Sequence, residues 1–430
     1  MSMVRLGTGV HGSAWVLSVM VLAAAVPARA EGWPQYNGPV HGRRSNERIS
    51  ISSGTAPRHW TIDTNAGFSS FVTGDGKAFT LVTRQVNDAT LEICIAIDLS
   101  DGRELWWIPL GKAKYTGGGN AGASDNNGGD GPRSTPSYDE GKVIVLDSRL
   151  RLHCLDARSG DTVWSKDILK EYAGRLITWE NAACPLIEGD MVFVAGGGEG
   201  QSLLAFEKHT GKLAWAVEDD RMTHATPVAA TIHHVRQVIF FTQKGLVSII
   251  PATGKVLWRQ PYKYSTSTAA SPVVFEDIVY CSAGYGVGAA AYRIRKTASG
   301  FESEEIWRQR NKLMNHWSTP LCKDGYLYGM FSFKKYGKGP IMCVDIRTGK
   351  TLWSKPGFGP GNCILVGEHL VALSDKGEVV LIDARPDAYR EHFRDDILEG
   401  KCWSSPAYSN GCLYVRSTRQ GASLSFPSRF

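Results

Sequence analysis

A nine-residue motif that recurs along the chain restricts the possible folds more than any other feature. Five copies carry Gly at the fifth position and Trp at the ninth, as in the segments from Asp156 to Trp164 and from Asp345 to Trp353. The Gly stands where a hairpin turn requires a positive φ, and the short polar side chain before it can hydrogen-bond to its own backbone. An apolar stretch such as Leu152 to Leu155 precedes each copy. Each copy therefore predicts a strand, a tight turn and a second strand that carries the Trp.

Six front halves begin with a small residue, one further residue and Pro, as in the segment from Ser134 to Pro136. Pro is tolerated at the start of a strand, where no ladder donor is needed. An apolar stretch such as Lys142 to Leu146 follows, and the aromatic residues that end successive units lie 40 to 58 residues apart. Four strands per unit at this spacing are typical of a β-propeller.

The number of blades follows from the aromatic residue that ends each unit. Seven units end in this way, although Trp307 and Phe393 follow degenerate turns. The last front half, from Lys401 to Phe426, has no closing strand, whereas the stretch around Trp60 supplies a closing strand without a front half. We therefore predict an all-β fold, an eight-bladed β-propeller with four-stranded antiparallel blades, whose last blade is closed by the N-terminal strand. The residues predicted to dock between blades are Trp60, Trp106, Trp164, Trp215, Trp258, Trp307, Trp353 and Phe393.

The beginning of the chain predicts export. Arg5 precedes an apolar run from Ala14 to Val26, and a small-x-small site follows at residues 28–30, which is the layout of a signal peptide. The run is too short to cross a membrane as a helix. We predict a signal peptide at 1–30, an N-terminal extension at 31–55 and a single propeller domain at 56–430. Because no Cys follows the run at the cleavage site, we expect a soluble periplasmic or extracellular protein without a lipid anchor or a transmembrane segment.

Composition excludes several classes of partner and site. The net charge of +6 is spread along the chain without basic runs, so we expect no nucleic-acid partner, and we expect a monomer. The nine cysteines are an odd number and include no Cys-x-x-Cys pair, which removes the usual zinc and redox motifs. Cys154 and Cys343 occupy the same place in two units, ten residues before a docking Trp, so we interpret them as small buried residues.

The repeat resembles the tryptophan-docking motif of quinoprotein-like eight-bladed propellers, a family that includes pyrroloquinoline-quinone alcohol dehydrogenases and the propeller lipoprotein of the outer-membrane barrel-assembly machinery. Three further segments, at Trp33 to Gly38, Gly131 to Pro136 and Leu398 to Trp403, are similar to a narrower group of exported bacterial proteins. The resemblance covers nearly all of the chain after residue 30 and implies the fold, whereas the activity stays open. Alcohol-oxidising members typically hold the quinone with a disulfide between adjacent cysteines, and this sequence contains no adjacent pair.

Residues that depart from the repeat just before the first strand of each blade are the candidates for a ligand site. In a propeller these positions meet at one mouth of the central funnel, where aromatic rings can stack on a ligand and polar groups can orient it. The alternative is a water-filled funnel lined by ordinary polar groups. The candidates are Arg133, Asn181, His224, Asn315, His316, Trp317 and Trp403.

A Gly-rich insertion from Tyr115 to Pro132 precedes Arg133 and carries many oxygen ligands. Its side chains Asp125, Asn127 and Asp130 could contribute to a Ca²⁺ site, because Ca²⁺ takes six to eight oxygen ligands. The spacing is not that of an EF-hand, and a loop over the funnel mouth is the other interpretation.

Two functions remain open at this point. The first is a binding or scaffold propeller that engages a protein, peptide or glycan partner and needs no cofactor. The second is a dehydrogenase for an alcohol or a sugar that uses pyrroloquinoline quinone and Ca²⁺, with Asn181 or Asn315 near the metal, His224 or His316 as base, and Trp317 or Trp403 stacked on the quinone.

Overall fold

The computed structural model describes residue 1 and residues 32–49, 56–115, 131–266, 268–331 and 333–426. Strands form eight separate sheets in these ranges, and the one helix among them is α1 (Ile168–Glu171). No helix in the same ranges is long and apolar enough to span a membrane. The predicted signal peptide and the calcium candidates Asp125, Asn127 and Asp130 lie outside the described residues.

The strands follow one another around the ring in chain order. The N-terminal part contributes β1 (Arg44–Ser45) and β2 (Arg58–Asp63). Blade 1 contains β3 (Val72–Gly74), β4 (Lys77–Val86), β5 (Ala89–Asp98) and β6 (Glu104–Lys112). Blade 2 contains β7 (Ser137–Asp139), β8 (Lys142–Leu146), β9 (Arg151–Asp156) and β10 (Thr162–Asp167). Blade 3 contains β11 (Leu186–Glu188), β12 (Met191–Ala195), β13 (Leu203–Glu207) and β14 (Leu213–Val217).

The second half of the ring repeats this plan. Blade 4 contains β15 (Val228–Ile232), β16 (Val235–Phe241), β17 (Gly245–Ile249) and β18 (Val256–Pro261). Blade 5 contains β19 (Val273–Phe275), β20 (Ile278–Ala283), β21 (Gly288–Thr297) and β22 (Gly300–Gln309). Blade 6 contains β23 (Leu321–Lys323), β24 (Tyr326–Met330), β25 (Ile341–Asp345) and β26 (Thr351–Lys355). Blade 7 contains β27 (Asn362–Val366), β28 (His369–Leu373), β29 (Glu378–Asp383) and β30 (Glu391–Asp396).

Blade 8 is built from both ends of the chain. It contains β31 (Ala407–Ser409), β32 (Cys412–Arg416) and β33 (Gln420–Ser425), and β2 completes it by pairing antiparallel with β33. Trp60 on β2 lies opposite Ser423 and is buried. The predicted eight blades and their N-terminal closure are therefore confirmed.

Central strands of a blade are mainly apolar because both of their faces are covered. Val379 to Ile382 on β29 are fully buried. Val379 and Leu381 pack in a cluster with residues of blade 8, whereas Val380 and Ile382 pack in a second cluster with residues of blade 6. Alternate side chains of one strand therefore belong to two different cores, one on each side of the blade.

The docking tryptophans pack between blades by a common geometry. The residue opposite each ring on the neighbouring strand is small, as with Ala96 opposite Trp106 and Cys154 opposite Trp164. The indole N–H of Trp106 donates to the carbonyl of Ala157 in the next blade, with an N–O distance of 3.2 Å. A Cβ atom on Gly160, whose φ is 81°, would lie 2.8 Å from the Trp106 ring. The turn therefore requires Gly for its backbone conformation and for the approach of the ring.

Trp258 is the docking tryptophan whose indole N–H does not donate to a backbone carbonyl of the next blade. The next blade has the long β21–β22 hairpin in place of the tight turn, and the indole N–H of Trp258 donates instead to Oε1 of Gln237 within its own blade, at 2.9 Å. Gln237 is fully buried, so the amide provides the acceptor that a turn carbonyl provides elsewhere.

Residues 32–49, which we name the plug, occupy the centre of the ring. The first strands of the blades are the innermost, since β3, β7, β11 and β15 contact one another in succession. β1 pairs parallel with β27, the first strand of blade 7. Further hydrogen bonds join the plug to the inner residues Thr73, Tyr138, Ile187, Pro227, Thr319 and Ser405. The extension predicted at 31–55 therefore includes a segment that is bonded to seven of the eight blades.

Candidate functional site

A cavity of about 380 Å³ lies at one mouth of the ring. It is surrounded by the segments that precede the first strands of the blades, and Ser70, Thr135, Cys184 and Thr226 are among its lining residues. Tyr36 of the plug also lines it. Because the plug occupies the centre of the ring, Tyr36 forms part of the floor of the cavity.

The structure brings five of the seven sequence-predicted residues together at this cavity. They are Arg133, His224, His316, Trp317 and Trp403. Each precedes the first strand of its blade, and this shared position places them at the same mouth. Their binding of a ligand stays a prediction.

Asn181 and Asn315 are not among the lining residues. Both side chains are buried. Asn181 accepts from the backbone N–H of Ala183 at 3.0 Å and donates to backbone carbonyls. Asn315 accepts from the hydroxyl of Tyr280 at 2.7 Å and donates to the carbonyl of Met330. These amides fix the chain ahead of the first strands of blades 3 and 6, so their hydrogen-bonding groups are used within the fold.

Several lining residues come from positions that the sequence analysis did not consider. Tyr285 follows β20, and Lys334 and Tyr336 lie between β24 and β25. The link between β24 and β25 spans residues 331–340, longer than the turns that join the same strands in most other blades. The length of this link is the sequence signal that could have identified Lys334 and Tyr336 as lining residues, because long connections in compact domains are often functional.

A row of aromatic rings is the main feature of the cavity wall. The ring of Trp403 stacks on Phe68, with a centroid distance of 4.6 Å, and lies 4.4 Å from the ring of Trp317. Tyr336 stacks on the same indole at 5.9 Å. The indole N–H of Trp317 donates to the carbonyl of Pro360 at 2.9 Å, which fixes the orientation of that ring. These contacts hold the row in place before any ligand binds.

Positive charge accompanies the rings. The guanidinium of Arg133 lies 5.9 Å from the centroid of Phe68, and the ammonium of Lys334 lies 4.6 Å from the centroid of Tyr285. Lys401 lies over the indole of Trp403 at 5.8 Å. Among the described residues that line the cavity none carries a carboxylate. The described wall of the cavity is therefore both aromatic and cationic.

The buried acid Glu92 connects the core to this wall. The hydroxyl of Tyr115 donates to one of its oxygens at 2.5 Å, and the backbone N–H of Ser148 donates to the other at 3.2 Å. Burial raises the pKa of Glu92 to about 7, and nearby Asp147 acts in the same direction. The ring of Tyr115 in turn lies 5.3 Å from the guanidinium of Arg133.

His224 is poorly suited to act as a base. Burial lowers the pKa of His224 to about 4, and Arg133 acts in the same direction. Its Nε2 lies 2.9 Å from the carbonyl oxygen of Glu180, to which it donates. At neutral pH the imidazole is therefore uncharged, and the nitrogen nearest a partner already makes a hydrogen bond.

The described residues do not fit the quinone and calcium that the fold family suggests. Calcium needs several oxygen ligands, and the amide oxygens of Asn181 and Asn315 are engaged within the fold. The described lining contains no carboxylate that could replace them. All nine cysteines are free thiols, and none forms the disulfide with which the resemblance associates quinone binding. We therefore derive no redox step at this cavity.

Comparisons with known proteins agree on the family. Residues 90–355 match the family described as outer membrane protein assembly factor BamB. Two relatives with that name, from Shewanella oneidensis and Moranella endobia, are 22% and 25% identical over 59% and 61% of this chain. The chain spans 64% and 67% of the length of these relatives.

Solved structures share the fold. The crystal structure of BamB from Moraxella catarrhalis has a TM-score of 0.57 at 16% identity, covering 88% of this chain and 99% of that one. The quinohemoprotein alcohol dehydrogenase from Comamonas testosteroni has a TM-score of 0.63 at 14% identity, covering 93% of this chain and 81% of that one. The family match spans more than half of the chain, and the chain therefore belongs to the family described as outer membrane protein assembly factor BamB.

Proposed function

We propose that this chain is an exported scaffold for outer-membrane protein assembly, which holds an extended segment of a partner protein in the cavity above the plug. The observation that carries the proposal is the preformed row of rings around Trp403 at that mouth. The assembly role is taken from the names of the relatives. The proposal includes removal of residues 1–30 as a signal peptide and action in the periplasm.

The chemistry of the wall favours an aromatic and acidic peptide segment. Rings stack on rings at distances such as those between Trp403 and Trp317, and cations attract both carboxylates and ring faces. Carboxylates and amides are common hydrogen-bonding partners of glycan hydroxyl groups. The amide of Asn362 is the one Asn or Gln side chain in the described lining, and its N–H donates to the carbonyl of Trp403 at 2.6 Å. We therefore place a peptide ahead of a glycan.

Binding, and not catalysis, suits the ionisable groups that line the cavity. His224 is a weak base with its Nε2 already bonded, and the cations Arg133 and Lys334 lie against rings. A preformed site of fixed charges and rings favours binding of a ligand that undergoes no chemical change there.

A binding assay tests the peptide preference directly. The protein is titrated with a short peptide of alternating Glu and Phe, with its Lys and Phe counterpart, and with a linear glucan oligosaccharide, and tryptophan fluorescence is recorded. We expect the acidic peptide to bind best. Trp403→Ala should weaken it by about tenfold, since loss of a stacking ring costs on the order of 1 kcal/mol beyond its buried area. Trp107→Ala is the matched control, because Trp107 is 43% exposed and lies on β6, outside the cavity lining.

An experiment in cells tests the assembly role. In the bacterium that encodes the chain, the gene is deleted and then restored as wild type, as Trp403→Ala or as Trp107→Ala, and folded outer-membrane barrel proteins are quantified. We expect the deletion strain to contain less folded barrel protein than the wild type. The wild-type gene and Trp107→Ala should restore the amount, whereas Trp403→Ala should not. A deletion strain with normal barrel proteins would contradict the assembly role, and full repair by Trp403→Ala would contradict the role of the cavity.

A further inference from the structure

A cluster of two imidazoles and one carboxylate lies on blade 7, away from the cavity. His369 opens β28, Asp383 ends β29 and His392 lies on β30. Asn362, at the start of β27, lines the cavity, and the antiparallel pairing places His369 opposite Val366 at the other end of that strand. The cluster is therefore at the end of the blade remote from the aromatic row.

The strand register brings the three side chains together. His369 and Asp383 are directly opposite one another on β28 and β29. The pairing of β29 with β30 shifts between Leu381 and Ile382, which pair with Phe393 and Glu391, so His392 is the extra residue of a bulge. A bulge redirects a side chain that would otherwise follow the alternation of the strand. It allows both imidazoles to lie beside the same carboxylate.

The atoms that face each other are metal-ligand atoms. Nε2 of His392 lies 2.6 Å and Nε2 of His369 lies 3.7 Å from the same oxygen, Oδ1 of Asp383. All three ligand atoms lie within 4.8 Å of one another. Ligands of a tetrahedral zinc ion, at about 2.0 to 2.2 Å from the metal, are separated by roughly 3.3 Å. Small side-chain movements would therefore place an ion between them.

We propose that His369, Asp383 and His392 bind one Zn²⁺ ion, with a fourth position open to water. Two nitrogen ligands and one carboxylate suit zinc, whereas calcium requires six to eight oxygens. The side chains are 22%, 18% and 38% exposed, so an ion can reach them from solvent. The ion would tie together the three outer strands of the blade whose first strand pairs with the plug.

The cysteines do not offer an equivalent site. Burial raises the pKa of all nine thiols, to about 12 for Cys343 and Cys402. A thiol must lose its proton to bind zinc. Among the described residues, His369, Asp383 and His392 form the one group of three or more His, Cys, Asp or Glu side chains whose ligand atoms lie this close together.

Equilibrium dialysis with Zn²⁺ on the chelator-treated full-length protein tests the proposal. We expect one equivalent of bound zinc, and Co²⁺ should give the visible absorbance of a tetrahedral site with nitrogen and oxygen ligands. His369→Gln and His392→Gln should each weaken zinc binding by about tenfold or more, because each removes one of three protein ligands. His209→Ala is the matched control, because His209 is an exposed imidazole 3.9 Å from the single carboxylate of Glu140.

Circular dichroism shows whether each variant keeps its fold. Loss of the bound equivalent in both Gln variants, with retention in His209→Ala, supports the site. Less than a tenth of an equivalent in the wild type, unchanged affinity in the double Gln variant, or a thiolate absorbance with Co²⁺ would each overturn it.

Discussion

At the scale of single residues, Gly160 shows why the turn of the repeat requires glycine. Gly160 combines a φ of 81° with a close approach to the Trp106 ring, whereas a Cβ atom on Gly141, whose φ is 75°, would meet nothing within 4 Å. We expect Gly141→Ala to cost about 1 kcal/mol of unfolding free energy from backbone strain. Gly160→Ala should cost about 1 to 3 kcal/mol more, because the methyl group must displace the ring. Urea denaturation of both variants measures the difference, and equal losses would show that the ring contact contributes nothing.

Also at this scale, Glu92 should make stability depend on pH. Its pKa is raised from 4.5 to about 7, so the folded protein keeps a proton that the unfolded chain releases between these values. Stability therefore falls as pH rises from about 4.5 to about 7, by on the order of 3 kcal/mol from this group. Glu92→Gln should remove that fall, because the amide stays neutral and can still accept from Tyr115. Urea unfolding at several pH values measures this dependence, and Glu302→Gln, a change at an exposed residue, is the control. An unfolding free energy of Glu92→Gln that varies with pH as in the wild type would contradict the prediction.

At the scale of elements, one buried cation contributes several of the hydrogen bonds that hold the plug in the ring. Arg43 is 1% exposed and donates to Tyr36 at 2.8 Å and to Ser405 at 2.5 Å. Arg43→Met keeps most of the volume and removes these bonds, so the plug should open more often, with amide exchange at residues 32–49 faster by about tenfold or more. Arg44→Met changes an exposed neighbour and is expected to exchange like the wild type. Identical amide exchange at residues 32–49 in the two variants would mean that the other hydrogen bonds hold the plug without Arg43.

At the scale of the whole molecule, closure of the ring should decide its stability. Removing residues 31–49 deletes the plug and leaves β2, whereas removing 31–64 also deletes β2 and exposes the edge of β33. We expect the longer truncation to lower the melting temperature much further and to promote aggregation, because an open edge offers unpaired backbone groups to other chains. Differential scanning calorimetry of both truncations is the measurement. Similar melting temperatures would show that the β2–β33 pairing is not what closes the ring.

The sequence by itself determined the architecture, because every blade repeats the same local requirements. Turn glycines, a small residue opposite each Trp, and strands apolar on both faces appear in the chain as a period, and the eighth blade follows from the unpaired halves at its ends. The mouth positions of Arg133 and Trp403 were predictable for the same reason, since their phase in the repeat places them there.

Only the tertiary structure decided what the repeat does not encode. The plug has no period, and its place in the ring depends on hydrogen bonds to residues far away in sequence, such as Ser405. Asn181 lies four residues before the Pro of its unit, whereas Arg133 lies three residues before its own, and the amide of Asn181 is used by the local backbone. The contact of His392 with Asp383 likewise depends on the bulge in β30, because a shift of one residue changes which side chains meet.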